Sequence, residues 1–151
     1  MTGQPDSFSS LDAAKRTYSW LNNTAVLLQL KRQLRVLQQG EMTVTQYYST
    51  LQRIWQQLDL FEVHPWKDVD DTQYYKLLME QGRVHDFLLG LNYAYEEIRG
   101  RIMGIKPLPS LFEVFNHVQF EESRKQLTQR SQIPIEGSAL VTEGGGPSEH
   151  K

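Results

Sequence analysis

The sequence predicts an all-α protein: a bundle of about five short-to-medium helices followed by a disordered C-terminal tail. Three observations lead there. Apolar residues recur at alternating spacings of three and four, the period of a helix face. Capping boxes and glycine or proline stops punctuate those stretches. No segment alternates apolar and polar residues with period two between hairpin turns.

At 151 residues and 17.6 kDa the chain fits one domain with loose ends. Residues 1–10, MTGQPDSFSS, are small and polar and read as a flexible leader. The first helical text, LDAAKRTYSWLNN, is expected to break at Asn22-Asn23. In the next stretch Leu27, Leu30, Leu34 and Leu37 share one face, Lys31, Arg32 and Arg35 face solvent, and Gly40 stands where a C-terminal glycine closes a helix. Thr43 and Gln46 then form a capping box. It opens a helix whose stripe is Val44, Tyr47, Tyr48, Leu51, Ile54, Trp55 and Leu58, ended by His64-Pro65-Trp66.

Asp68, Asp70 and Asp71 suit the positive end of the following helix dipole. Leu77, Leu78, Val84, Phe87, Leu88 and Leu91 are assigned to that helix's buried face, and Gly82 lies inside it as a place for a local bend. Gly90 reads as its stop, and Asn92 as the cap of a short helix, YAYEEIRGRIMG, ended by Gly104 and Pro107. Ser110 and Glu113 make a second capping box. Leu111, Val114, Phe115 and Val118 share one side of the last helix, whose later turns, EESRKQLTQR, are charged and expected to leave the core. The helical domain is thus placed at 11–131 and the Gly-, Ser- and Glu-rich tail at 132–151.

Composition narrows the function. With no cysteine, disulfides, thiol catalysis and Cys-ligated metal sites are excluded. The longest apolar run, Ala25 to Leu28, is far below the roughly 20 residues of a membrane span, and the chain is read as soluble, not secreted and cytoplasmic. The net charge of −2 excludes a general polyanion binder. His64, His85, His117 and His150 have no metal-ligand spacing. The Asp68–Asp71 cluster lacks the further ligands of a calcium loop. Gly144-Gly145-Gly146 is not a phosphate loop, and no nucleophile elbow is present. Glu96-Glu97 and Glu121-Glu122 are adjacent pairs whose members diverge by about 100° on a helix, so they read as solvated faces. No catalytic residue, cofactor, metal or small-molecule substrate is assigned, and the chain is read as a non-enzyme. Three basic patches (Lys31, Arg32, Arg35; Arg99, Arg101, Lys106; Arg124, Lys125, Arg130) are interleaved with Glu or Gln and imply at most a weak, non-specific RNA contact.

The string RVHDFLLGLNYAYEEIRGRIMGIKPLPSLFEVFNHVQFEESRK, residues 83–125, closely resembles the gag polyprotein of copia-type LTR retrotransposons. The blocks are Arg83-Val84, then Phe87-Leu88 with Gly90-Leu91-Asn92, then Ile98-Arg99-Gly100 with Ile102, then Pro107-Leu108-Pro109-Ser110-Leu111, and Glu121 to Arg124. Upstream, LQQGEMTVTQYYSTLQRIWQQLD at 37–59 is similar to the family's text around Tyr47, Leu51, Trp55 and Leu58. The likeness runs from about residue 14 to 141. It implies a structural capsid protein that associates with itself or other gag subunits in a particle shell. Relative to the family pattern, the chain is expected to lack further N-terminal helices and the Cys/His zinc knuckle that holds RNA. Two rival readings are a domesticated or truncated gag fragment that binds full-length gag and modulates assembly, and a weak RNA-binding module. From the residues alone, Gly90 and Pro107–Pro109 are expected to fold short helices back so that Phe87, Leu91, Ile98, Ile102, Leu111 and Phe115 are buried together.

Overall fold

The computed structural model describes residues 6–61 and 68–132. Five helices follow one another: α1 (Asp6–Val36), α2 (Val44–Asp59), α3 (Val69–Leu89), α4 (Glu96–Met103) and α5 (Leu111–Gln132), with a 3-10 turn, Tyr93–Tyr95, leading into α4. No strand occurs among the described residues. The fold is all-α. His64-Pro65-Trp66 and the tail beyond residue 132 lie outside the described residues.

The core is aromatic at its centre. Tyr47 stacks on Phe87 with ring centroids 5.6 Å apart, Tyr48 meets Phe87 edge-on at 5.6 Å, and Tyr48 stacks on Phe115 at 4.1 Å. Around the rings are buried Val44, Leu51, Val84, Leu88, Val114 and Val118, with Leu91, Ile98 and Ile102 from the chain after α3. A smaller cluster of Leu30, Ile54 and Leu58 fastens α1 to α2. α5 lies against α2, α3 and α4, and so closes the bundle.

Thr43 and Gln46 form the capping box of α2, with Thr43 Oγ1 accepting from the Gln46 N–H at 3.1 Å and Gln46 Oε1 accepting from the Thr43 N–H at 2.9 Å. The same reciprocal pair links Ser110 and Glu113 at 3.3 Å each way before α5.

Five expectations are corrected. α1 starts at Asp6, inside the expected leader, and passes Asn22-Asn23 without a break. Asparagine costs less than about 0.7 kcal/mol against alanine in a helix. Thr17 and Thr24 meanwhile donate their hydroxyls to Ala13 O and Trp20 O at 2.9 and 2.8 Å, which is compatible with helix rather than a turn. α1 ends at Val36, ahead of Gly40. Gly40, at φ +55°, instead serves the turn in which the Met42 N–H donates to Gln39 O at 2.9 Å. Leu77 and Leu78 are exposed rather than buried, because only the C-terminal half of α3 meets the core through Val84, Phe87 and Leu88. Asn92 makes no side-chain cap, its Nδ2 donating across the molecule to Gly40 O at 2.9 Å.

The fifth correction concerns Glu121 and Glu122, which do not form a solvated face. Glu121 is buried and takes two bonds from the Arg124 guanidinium, at 3.0 and 2.6 Å. Those bonds hold its carboxyl below the usual glutamate range. Glu122 Oε2 accepts the Val44 N–H at 2.8 Å, so a side chain of α5 satisfies an orphan donor at the start of α2. Glu96 and Glu97 are exposed.

α3 runs unbroken through Gly82, which is exposed and has open space where a Cβ would stand. Gly82→Ala is expected to stabilise the fold by about 0.5–1 kcal/mol by removing backbone freedom from the unfolded chain. A chemical denaturation midpoint that falls would contradict this.

Candidate functional site

The corner after α3 is built by packing. The Gly90 backbone is ordinary (φ −86°), so no left-handed turn demands glycine there. The demand is space. A Cβ on Gly90 would stand 1.9 Å from Tyr47 Oη and 3.2 Å from Leu37 O. The Tyr47 hydroxyl donates to Phe87 O at 3.1 Å and lies 3.3 Å from Asp86 O. The segment just after α1, together with α2 and the end of α3, therefore converges on one glycine.

Beside it, Gln39 is buried and uses every polar group it has. Its N–H donates to Gly90 O at 2.8 Å, its Nε2 donates to Met42 O at 3.0 Å, and its Oε1 accepts the Asn92 N–H at 3.0 Å. No sequence motif singled out Gln39; a polar residue next to Gly40 reads as loop until its partners Gly90 and Asn92, more than 50 residues away, are known. Arg99 anchors the corner from α4, with Nη1 donating to Leu88 O at 3.2 Å and an ion pair to Glu96.

The remaining motif positions divide cleanly. Tyr47, Leu51, Trp55, Phe87, Leu88, Leu91, Ile98 and Ile102 are core residues. Leu58 belongs to the second cluster. Leu108, Leu111 and Phe115 pack on the core's edge, Pro107 is exposed behind a cis Lys106–Pro107 bond, and Pro109 is half-buried. The structure brings the motifs together as a scaffold.

Burial pushes the phenol of Tyr47 well above its ordinary value, and Tyr48 and Tyr95 move the same way for the same first cause. A raised folded-state value means that the folded chain holds the proton more tightly. That stability is complete below the ordinary tyrosine value of 10.0 and is lost as pH rises above it. The denaturation midpoint should therefore fall above about pH 10, and less steeply in Tyr47→Phe. A flat alkaline limb would contradict the burial of these hydroxyls.

Among the described residues no group of three or more His, Asp or Glu could hold a metal ion, and no helix is long and apolar enough to cross a membrane. A groove of about 550 Å³ lies between α1 and the end of α3, and is lined by Lys31, Arg35, Asp86 and the apolar Leu34, Leu58 and Leu89. It holds no convergent nucleophile, base and orienting group.

The surface that stands out is the free half of α1. Every residue from Ser9 to Asn23 is exposed. Tyr18 is 76% exposed, Trp20 64% and Leu21 54%, with Leu11 also in solvent. Four large apolar residues within eleven positions of one helix differ from singly scattered surface leucines. Sequence reading missed this surface because the expected break at Asn22-Asn23 separated it from the leucine face that roots α1 in the bundle. The signal that finds it is the spacing of apolar residues once the helix is taken as continuous. Known protein families, curated proteins and solved structures offer no match to the chain.

Proposed function

We propose that this is a structural protein of the gag capsid kind, acting in the cytoplasm by homotypic association in a particle shell. One observation carries the self-association: a long helix rooted in a well-packed bundle extends a half that is exposed from Ser9 to Asn23 among the described residues and carries Leu11, Tyr18, Trp20 and Leu21. Each such side chain contributes roughly 1.5–3 kcal/mol when fully buried. Leu11, Tyr18 and Leu21, which share one face, contribute from each of two copies enough to offset much of an association cost of about 4–15 kcal/mol. The ordered gag-like motifs support the assignment to that kind of protein. They make the scaffold from which the helix projects.

The RNA-binding alternative is weakened by ion pairing. Arg99 is engaged by Glu96 and Arg124 by Glu121, while Lys31, Arg32 and Arg35 have no ion-pair partner among the described residues. Negative-stain images of the concentrated chain should show uniform closed particles. Small species alone would remove autonomous shell formation. They would favour the truncated gag fragment that binds full-length gag, whose binding to immobilised full-length gag would then be measured.

A further inference from the structure

The exposed half of α1 has a register that names its partner. Leu11, Ala14, Tyr18, Leu21, Ala25 and Leu28 succeed one another at spacings of three, four, three, four and three, and all six are exposed. That is an a/d heptad seam about 26 Å long at 1.5 Å per residue. It lies on nearly the opposite side of the helix from Leu27, Leu30, Leu34 and Leu37, which fasten α1 to the bundle, so the body does not obstruct it. Residues 17–30 carry no charge, and the seam ends where the next a and d positions become Arg32 and Arg35. Ser, Asn, Thr, Tyr and Trp between residues 17 and 24 are mediocre helix formers. An exposed helix of this composition is marginal in water by itself.

We infer that α1 pairs with α1 of a second copy of this chain as a short antiparallel coiled coil. This rests on the self-association proposed above and names its surface. Inverting the seam on itself matches layer to layer: Leu11 with Leu28 of the second copy, Ala14 with Ala25, Tyr18 with Leu21, and then the same three in reverse. The pairing is isologous, as a two-fold dimer requires. Alanine meets alanine, which lets the helices approach, and the large side chains meet at the ends and centre. A parallel pair would instead set Arg32 against Arg32 and Arg35 against Arg35. At the flanks the antiparallel order brings Lys15 beside Asn22 of the second copy and Thr17 beside Thr24, with no like charges opposed.

Sedimentation velocity of the full chain over a concentration series tests this. Below the concentrations at which particles form, the wild type is expected to form a reversible dimer of twice 17.6 kDa. Leu21→Lys is expected to weaken pairing by tenfold or more, while its thermal melt at dilute concentration stays that of the wild-type monomer, since Leu21 touches none of the core. Asn22→Glu, facing Lys15, should tighten the dimer about two- to fivefold and Asn22→Lys should weaken it by a similar factor. Association unchanged in Leu21→Lys would overturn the seam while leaving self-association through another surface intact. Leu21→Lys disruptive but both Asn22 variants neutral would overturn the antiparallel order. A wild type monomeric at every concentration would overturn the seam and the proposed function together, whereas a dimer that forms no closed particle would support the seam and remove only the shell.

Discussion

Gly90→Ala is expected to destabilise the protein by about 3 kcal/mol or more, a large effect for one methyl group. The added Cβ would lie 1.9 Å from Tyr47 Oη and 2.8 Å from Tyr47 Cζ, so the ring must move. The ring has nowhere to go: Tyr47 is fully buried and stacked on Phe87. Moving it also withdraws the hydroxyl from Phe87 O, which leaves a buried polar group without its partner, at roughly 1–3 kcal/mol. Urea denaturation of the single variants and of Gly90→Ala with Tyr47→Phe checks the argument. Removing Oη takes away the closest clash, so the double variant should lose less than the sum of the two single losses. Strict additivity would show that the clash is not with this hydroxyl.

Phe87→Ala is expected to cost about 3–5 kcal/mol. Phe87 is fully buried at the junction of Tyr47, Tyr48 and Phe115, and contacts all three rings. Truncation removes the transfer energy of the ring and leaves a cavity walled by side chains from α2 and α5. Those walls are held by the Tyr47 hydroxyl and by Glu122 on the Val44 N–H, so they cannot collapse freely into the space. A urea midpoint equal to that of the wild type would contradict a core centred on this residue.

These two positions also show how much the sequence reveals. Phe87 was legible because it sits on a three- and four-spaced stripe within a motif. Gly90 was legible as the end of α3, but its reason was not: a glycine stop suggests a backbone conformation, and the cause turned out to be a hydroxyl from α2. Capping boxes at Thr43 and Ser110 were readable because both partners lie within four residues. Gln39, Glu121 and Glu122 were not, since their bonds reach across the fold or depend on which turn of α5 faces the bundle. Leu77 and Leu78 fit a helical stripe but are left exposed among the described residues. Periodicity reports a face; it does not report whether anything lies against it. The same limit hid the candidate site, where a pair of asparagines suggested a break and so concealed a heptad stripe running through them.

Static light scattering on a dilution series of the wild-type chain tests the central claim, that α1 makes this a self-associating protein, most directly. The expected result is a mass that rises reversibly above 17.6 kDa with concentration and does not fall as salt is raised, because the free half of α1 buries apolar side chains rather than charge pairs. A mass that stays at 17.6 kDa at every concentration and salt would contradict it.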